Sequence, residues 1–115
     1  MRTNPYMPIA ATIDSIVDET PNIKTFGLRP RAPIAFQAGQ FMEIAVPGVG
    51  EAPFTPSSSP AVTERMEITI MRVGRVTDAL HGLSVGDTIG LRGPYGEAYP
   101  LNRFRDREVL IVGGG

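Results

Sequence analysis

Apolar and polar residues alternate along most of this chain, in short stretches separated by glycine and proline. The stretch MEITIMR at residues 66–72 alternates most regularly, and similar stretches occupy residues 9–19, 23–28 and 40–46. Residues 83–91 contain a tight turn, Val85-Gly86-Asp87, that leads into another predicted strand. A period of two predicts β-strands that bury one face. The alternation of the first stretch slips near Ser15, which predicts a β-bulge there. No sustained helical period occurs before residue 73.

Turn-forming residues separate these predicted strands. Residues 20–22 (TPN) predict a hairpin turn between the first two strands, and residues 29–36, with two prolines, predict a loop. Pro47-Gly48 ends the third strand, and residues 93–96 (GPYG) predict a further turn. The pattern of short strands and frequent turns is typical of an all-β barrel or sandwich.

One short helix is predicted over residues 77–80, with Thr77 as its N-cap, Asp78 in its first turn and Gly82 at its end. Gly74 and Arg75 precede it. A glycine before a helix N-terminus lets backbone N–H groups approach a phosphate, and Arg75 and the Thr77 hydroxyl would add a cation and a donor. An ordinary glycine turn before a capped helix is the alternative explanation, and the pattern alone favours it.

Composition narrows the function classes. The chain has 115 residues, a formal net charge of −1 and no cysteine. The charge disfavours nucleic acid or an anionic membrane as the main partner, and the lack of cysteine excludes a thiol nucleophile and a Cys-ligated iron–sulfur cluster on these residues. No apolar run approaches the ~20 residues of a membrane span and no signal peptide is evident, so a cytoplasmic domain is expected.

The stretch EAPFTPSSSP at residues 51–60 is either a solvated linker or a shaped loop. Each proline biases the residue before it toward an extended conformation, so Pro53-Phe54-Thr55 would present an aromatic plate beside a hydroxyl. A flat ligand could stack on Phe54 and bond to Thr55. Composition alone slightly favours a core Phe54 and a solvated loop.

Side chains for acid–base or nucleophilic catalysis are lacking. His81 is the single histidine, at a helix end where a surface or capping role is expected, and Glu43, Glu51, Glu64 and Glu67 are scattered, which predicts mostly solvated carboxylates. No metal cluster or Ser-His-Asp set can be assembled. If the chain belongs to an enzyme, a cofactor must carry the chemistry.

The order of these features resembles the flavin-binding barrel of the ferredoxin–NADP reductase superfamily. The similarity is strongest to the gamma subunits of NAD(P)-linked hydrogenases and sulfhydrogenases, relatives of the dihydroorotate dehydrogenase electron-transfer subunit. It rests on NPYMP (4–8), ETPNIKTFGL (19–28), AGQFMEIAVPGVGEAPFTPSSSP (38–60), RVGRVTDALHGLSVGDTIGLRGPYG (72–96) and LIVGGG (110–115). The resemblance implies a six-stranded antiparallel Greek-key barrel that binds FAD.

The resemblance also implies a division of the chain. Residues 1–105 would form the FAD-binding barrel, and residues 106–115 would be the first strand and glycines of a truncated NAD(P)-binding domain. Val109 to Val112 are apolar on both predicted faces, as in parallel sheets covered by helices, and run into Gly113 to Gly115. A full G-x-G-x-x-G motif is absent, so a glycine-rich tail is the alternative from the residues alone.

Carried over residue by residue, the resemblance assigns most of a flavin site. Phe54 takes the position that packs on the isoalloxazine ring, and Thr55 the hydroxyl beside flavin N5, which makes Thr55 the catalytic candidate. Pro53 lies between Ala52 and Phe54 in this motif, residues 53–55 would be the flavin-facing end of a strand, and residues 56–60 the turn behind it. Ala52 stands where the family has an arginine for the flavin phosphates, so FMN is an alternative to FAD. The remaining assigned residues lie along the flavin or hold its pyrophosphate: Met71, Arg72, Gly74, Arg75, Val76 and Thr77.

The resemblance implies an NAD(P)H-dependent oxidoreductase subunit, in which flavin passes electrons between NAD(P)H and an iron–sulfur or hydrogenase-type partner. The 115 residues alone would bind flavin without efficient turnover. A flavin-free β-barrel acting as a structural or interaction module is the alternative, favoured by Ala52.

Overall fold

The computed structural model describes residues 7–98. Its elements are β1 (Ile9–Thr20), β2 (Ile23–Pro30), β3 (Phe41–Val46), β4 (Gly50–Phe54), β5 (Met66–Met71), α1 (Arg75–His81) and β6 (Thr88–Tyr95). The strands form one antiparallel sheet in the order β4-β3-β6-β1-β2-β5. The predicted all-β fold with six strands and one short helix is therefore confirmed. Within residues 7–98, no helix has the length and apolar character needed to cross a bilayer.

Alternation places the core as predicted. In β5 the residues Met66, Ile68 and Ile70 are buried, while those between them are half-buried or exposed. The same pattern buries the alternate residues of β3, and the buried apolar side chains of five strands and α1 make a single cluster. The predicted bulge is present, since the β1–β2 register shifts between Ile13 and Ser15.

The ends of the sheet, β4 and β5, face each other without pairing as strands. They are linked just beyond β4, where the backbone N–H of Ser57 donates to the carbonyl of Glu67 (2.8 Å) and the N–H of Glu67 donates to the Ser58 hydroxyl (2.9 Å). Residues of both edge strands, Ala52 to Phe54 of β4 and Thr69 and Met71 of β5, line one cleft. The sheet thus curls into a barrel whose seam is open along β4 and β5.

Several predicted boundaries were wrong. Arg29 and Pro30 continue β2 instead of opening the loop, because they pair with Thr12 and Ala11 of β1. Residues 93–96 do not form a separate turn, since β6 continues to Tyr95, with Gly93 at a positive φ of 126°. This glycine conformation accommodates an irregularity in the pairing with β3, so the strand continues without reversing.

The helix is longer than predicted, and Thr77 is not its N-cap. It runs from Arg75 to His81, with Gly74 as N-cap and Gly82 as C-cap. Thr77 is the third helical residue, and its hydroxyl reaches back to the turn before the helix. The predicted end at Gly82 and the acidic first turn at Asp78 are confirmed.

The predicted strand at 109–112, the glycines 113–115 and the domain boundary at residue 105 lie outside the described residues.

Candidate functional site

The cleft at the open seam is the candidate site. It has a volume of about 640 Å³, within the range of ~300–1,000 Å³ usual for small-molecule sites. Strands β3, β4 and β5 and the start of α1 supply its walls, with the lining residues Phe41, Glu43, Ala52, Pro53, Phe54, Thr55, Thr69, Met71, Val73 and Thr77. The cleft therefore brings together residues from four separate parts of the sequence.

Six of the ten residues predicted for the site line this cleft: Ala52, Pro53, Phe54, Thr55, Met71 and Thr77. The other four, Arg72, Gly74, Arg75 and Val76, lie in the turn and first helical residues adjoining Val73 and Thr77. The strand that carries Pro53 and Phe54 is longer than residues 53–55, since β4 begins at Gly50 and ends before Thr55.

Phe54 lies between the hydrophobic core and the cleft. Its side chain is half-buried and packs against the core cluster, while also lining the cleft. Its partner across the sheet is Met42, a fully buried core residue. Core packing on one side holds the ring in place, so its cleft side is a firm surface for a flat ligand.

Three hydroxyls from the described part of the chain line the cleft, those of Thr55, Thr69 and Thr77, and they differ in their hydrogen bonds. The Thr77 hydroxyl donates to the carbonyl of Gly74 (3.0 Å) and accepts from the N–H groups of Gly74 and Val73 (2.8 Å each). Its proton and both acceptor positions are in use. The prediction that the Thr77 hydroxyl is a free donor is therefore wrong, because the residue holds its own turn together.

The Thr69 hydroxyl also uses its proton in a hydrogen bond within the protein, as the bonds of its neighbour Thr25 show. Thr25 donates to a Glu19 carboxylate oxygen (2.9 Å), which uses its single hydroxyl proton. In the 2.9 Å contact between Thr25 and Thr69, Thr69 must therefore be the donor. Toward the cleft Thr69 has only acceptor positions.

Thr55 is exposed, and within residues 7–98 its hydroxyl has no hydrogen-bond partner. It is thus the one lining hydroxyl of the three that can donate a proton to a ligand. This property could not be read from the sequence, where the three threonines look alike.

The two arginines near α1 also differ. Arg72 donates to Asp78 (2.8 Å), so its charge is paired. Arg75 is exposed and makes no ion pair with any residue that the structure describes. Arg75 is therefore the unpaired cation at this end of the cleft, while Ala52 contributes no charge to the wall.

His81 is not the surface or capping residue that was expected. It is 9% exposed, its ring nitrogen Nε2 lies 2.8 Å from the carbonyl oxygen of Ile70, and its ring is 6.0 Å from that of Phe26. Since a carbonyl only accepts, Nε2 carries the proton. The bond ties the end of α1 to β5 one residue before Met71.

Four lining residues were missed from the sequence: Phe41, Glu43, Thr69 and Val73. Glu43 was expected to be solvated, but it is half-buried in the cleft wall. Alternation already placed Phe41 and Glu43 opposite the core residues of β3, and Thr69 and Met71 opposite those of β5. The alternation within each strand does not show that the outer faces of β3 and β5 meet at the seam. Among residues 7–98 no three acidic or histidine side chains are grouped to hold a metal ion.

Comparison with known proteins agrees with the resemblance found in the sequence. The probable dihydroorotate dehydrogenase B (NAD(+)) electron transfer subunit of Methanocella arvoryzae is 40% identical over 108 residues, covering 94% of this chain and 38% of the relative. The sulfhydrogenase 1 subunit gamma of Pyrococcus furiosus is 34% identical over 117 residues, covering 97% and 40%. This chain therefore spans about two fifths of the length of these relatives.

Solved structures show the same fold. The Amycolatopsis cytochrome P450 reductase GcoB superposes with a TM-score of 0.76 at 28% identity, covering 86% of this chain and 32% of the reductase. The ferredoxin reductase of carbazole 1,9a-dioxygenase superposes with a TM-score of 0.71 at 26% identity, covering 77% and 29%. The sequence model of the oxidoreductase FAD-binding domain matches residues 10–99, most of the chain. With this match, and with a barrel that keeps an open, aromatic-lined seam, the chain belongs to the oxidoreductase FAD-binding domain family.

Proposed function

We propose that this chain is the flavin-binding part of an NAD(P)H-dependent electron-transfer subunit. In the whole protein, electrons would pass between NAD(P)H, FAD and an iron–sulfur partner. The observation that carries the proposal is the seam cleft, which combines a held aromatic ring with one free hydroxyl in a chain of the FAD-binding family.

The wall formed by β3 and β4 suits the isoalloxazine ring. Phe54 is held by the core and offers one aromatic surface, and Pro53 and Phe41 extend the apolar wall beside it. Phe41 is itself steadied by Tyr95, with ring centroids 5.7 Å apart. Aromatic stacking in such a wall orients a flat ring without requiring charge.

Thr55 is the hydroxyl that we assign to flavin N5. Bound flavin would supply hydride acceptance from NAD(P)H and release of single electrons. Thr55 would orient the ring edge by donating a hydrogen bond. Thr69 and Thr77 already use their hydroxyl protons in hydrogen bonds within the protein. The free hydroxyl proton of Thr55 is the structural support for assigning this residue to flavin N5.

The α1 end of the cleft suits the phosphates. The first N–H groups of a helix have no carbonyl one turn behind them, so those of Arg75 and Val76 are directed away from the helix body. Gly74 adds an uncovered backbone, since a Cβ built there meets nothing within 4 Å. Met71 and Arg72 would flank the ligand where β5 ends. With alanine at position 52, Arg75 and these backbone groups would hold the pyrophosphate, and FMN is the alternative to FAD.

The nicotinamide substrate and the electron partner belong to the proposal for the whole protein. The relatives named above are described as electron transfer and gamma subunits, so they act within larger assemblies. By similarity, we infer an iron–sulfur partner subunit and a following NAD(P)-binding domain. NAD(P)H would deliver hydride to the flavin, and the partner would take single electrons.

Flavin binding is the direct test. The purified full-length protein should show flavin absorbance, and the flavin-free form should regain it when titrated with FAD. A parallel titration with FMN decides between the two cofactors, and reduction of the bound flavin by NADH and NADPH in separate experiments tests the electron donor. Failure to bind either flavin at tens of micromolar would rule out the proposed function.

A further inference from the structure

Among the described residues 7–98, Glu43 is the one charged side chain that lines the cleft. It lies on β3, on the face opposite the buried Met42 and Ile44, and it is half-buried. Within residues 7–98 its carboxylate makes no hydrogen bond or ion pair. A carboxylate in a ligand cleft that forms no direct ion pair acts on whatever ligand charge comes near it.

The nearest cation by strand register does not neutralise Glu43. Arg92 of β6 and Pro53 of β4 are the residues paired with Glu43 on its two sides. The guanidinium of Arg92 forms its ion pair with Glu51, which raises the pKa of Arg92, and Glu43 adds only a weaker Coulombic attraction to the same guanidinium. Two carboxylates therefore attract one guanidinium, and the group of three keeps a net negative charge on the Glu43 side of its ion pair.

Glu43 lies toward the end of the cleft away from α1. The helix approaches β4 at Gly50, where an added Cβ would lie 3.5 Å from a Val76 methyl group. Glu43 pairs with Pro53, three residues farther along β4, a separation of roughly 10 Å at about 3.4 Å per residue. The negative charge thus lies beside the Phe54 wall, while the unpaired Arg75 lies at the helix.

We propose that Glu43 is a tuning residue that faces the ring end of the bound flavin and lowers its reduction potential. The inference rests on the proposed function, because it takes FAD to lie with its phosphates toward α1. Hydride transfer from a reduced nicotinamide adds two electrons and one proton to the ring, which gains one negative charge until it takes up a second proton. The Glu43 carboxylate opposes that added charge and does not oppose the neutral oxidised ring.

The test compares reduction potentials of the FAD-loaded full-length protein and three variants, by reductive titration against a reference dye. Glu43→Gln keeps the size and removes the charge, and Glu43→Asp keeps the charge. Glu64→Gln is the matched control, since Glu64 is exposed, lies outside the cleft and undergoes the same change of charge. Dissociation constants of oxidised FAD, measured for all four proteins, provide a readout independent of redox chemistry.

For Glu43→Gln we expect the affinity for reduced FAD to rise about tenfold relative to the affinity for oxidised FAD. For a two-electron couple this raises the reduction potential of the bound flavin by about 30 mV. Glu43→Asp should stay near the wild-type potential, as should Glu64→Gln. Equal potentials for Glu43→Gln and Glu64→Gln, with FAD still bound, would overturn the inference and leave the proposed function standing. Loss of oxidised FAD from Glu43→Gln alone would also overturn it, because a charge that opposes only the reduced ring is not needed to bind the oxidised one. Absence of FAD binding by the wild type would instead overturn the proposed function, and the inference with it.

Discussion

Replacing Thr77 with valine tests whether its hydroxyl serves the protein or the ligand. Valine matches threonine in shape but removes the three hydrogen bonds that join the hydroxyl to Val73 and Gly74. Thr77 is 6% exposed, whereas Val73 and Gly74 are exposed, so each hydrogen bond is counted only at its modest net value. At about 1 kcal/mol for each bond, the expected loss is about 2–3 kcal/mol in the free energy of unfolding.

Urea unfolding of the flavin-free protein measures this loss. Thr77→Ser is the matched control, because it keeps the hydroxyl and deletes one methyl group, which costs roughly 1 kcal/mol. We expect Thr77→Val to be the less stable variant and to bind FAD more weakly, since the turn at Val73 and Gly74 is no longer held beside the cleft. If the two variants unfold at the same urea concentration while FAD binding is lost only in Thr77→Val, the hydroxyl serves the ligand and the reasoning from its hydrogen bonds is refuted.

Three further substitutions examine other parts of the structure. Thr55→Ala should slow the reduction of bound flavin by NAD(P)H, measured by stopped-flow absorbance, by at least tenfold. The FAD dissociation constant should change by less than about threefold, because only one exposed hydrogen bond is lost. Equal effects on rate and affinity would contradict the assignment of Thr55 to N5. Gly74→Val should weaken the binding of FAD at least tenfold and leave the binding of riboflavin, which has no phosphate, unchanged. The reason is that a Cβ at position 74 meets no protein atom and extends into the open space beside the helix start. Equal weakening of both ligands would place the phosphates elsewhere. Arg65 holds the pKa of Asp14 below its usual value of 3.8, so the carboxylate stabilises the folded state at neutral pH and loses this effect as the pH falls through the lowered pKa. Asp14→Asn should therefore unfold at lower urea than wild type at pH 7, with the difference narrowing toward pH 2, and a pH-independent difference would argue against this ion pair.

Local sequence pattern was sufficient for most strands, because one face of each is buried in a single core. Alternation located β1, β3 and β5 to within one residue at most ends, and the slip near Ser15 located the bulge. It failed at residues 93–96, where glycine and proline usually reverse a chain. There the pairing partner β3 keeps the strand extended, and that partner lies about 50 residues away in sequence.

The candidate site was partly predictable for the same reason. The resemblance identified Phe54 and Thr55 because they belong to one contiguous motif, and both line the cleft. Glu43 was missed because its position opposite the core says only that it faces outward. Whether that outward face meets solvent or a cleft depends on how far the sheet curls, which is set by packing of the whole core.

The direction in which each threonine hydroxyl donates its hydrogen bond is a second property that sequence pattern does not show. Thr55, Thr69 and Thr77 differ in their neighbours, which are Thr25 and Glu19 from distant strands for Thr69 and the turn directly before the helix for Thr77. A hydroxyl has one proton, so a hydroxyl that donates within the protein cannot also donate to a ligand. The resemblance assigned Thr55 by position, and the hydrogen-bond network supports the same choice by elimination.

The prolines of residues 51–60 connect the fold to the site. A strand at the edge of a sheet exposes N–H and carbonyl groups that pair readily with a neighbouring edge, which here would close β4 onto β5 and fill the cleft. Pro53 has no N–H, and Pro56 removes another where β4 has just ended, so both are tolerated at this edge and reduce its capacity to pair. The contacts that do join the two edges come only afterwards, at Ser57 and Ser58. The segment that resembles a linker in composition therefore keeps the seam open beside Phe54 and Thr55 and closes it beyond them, which gives the barrel room for a ligand.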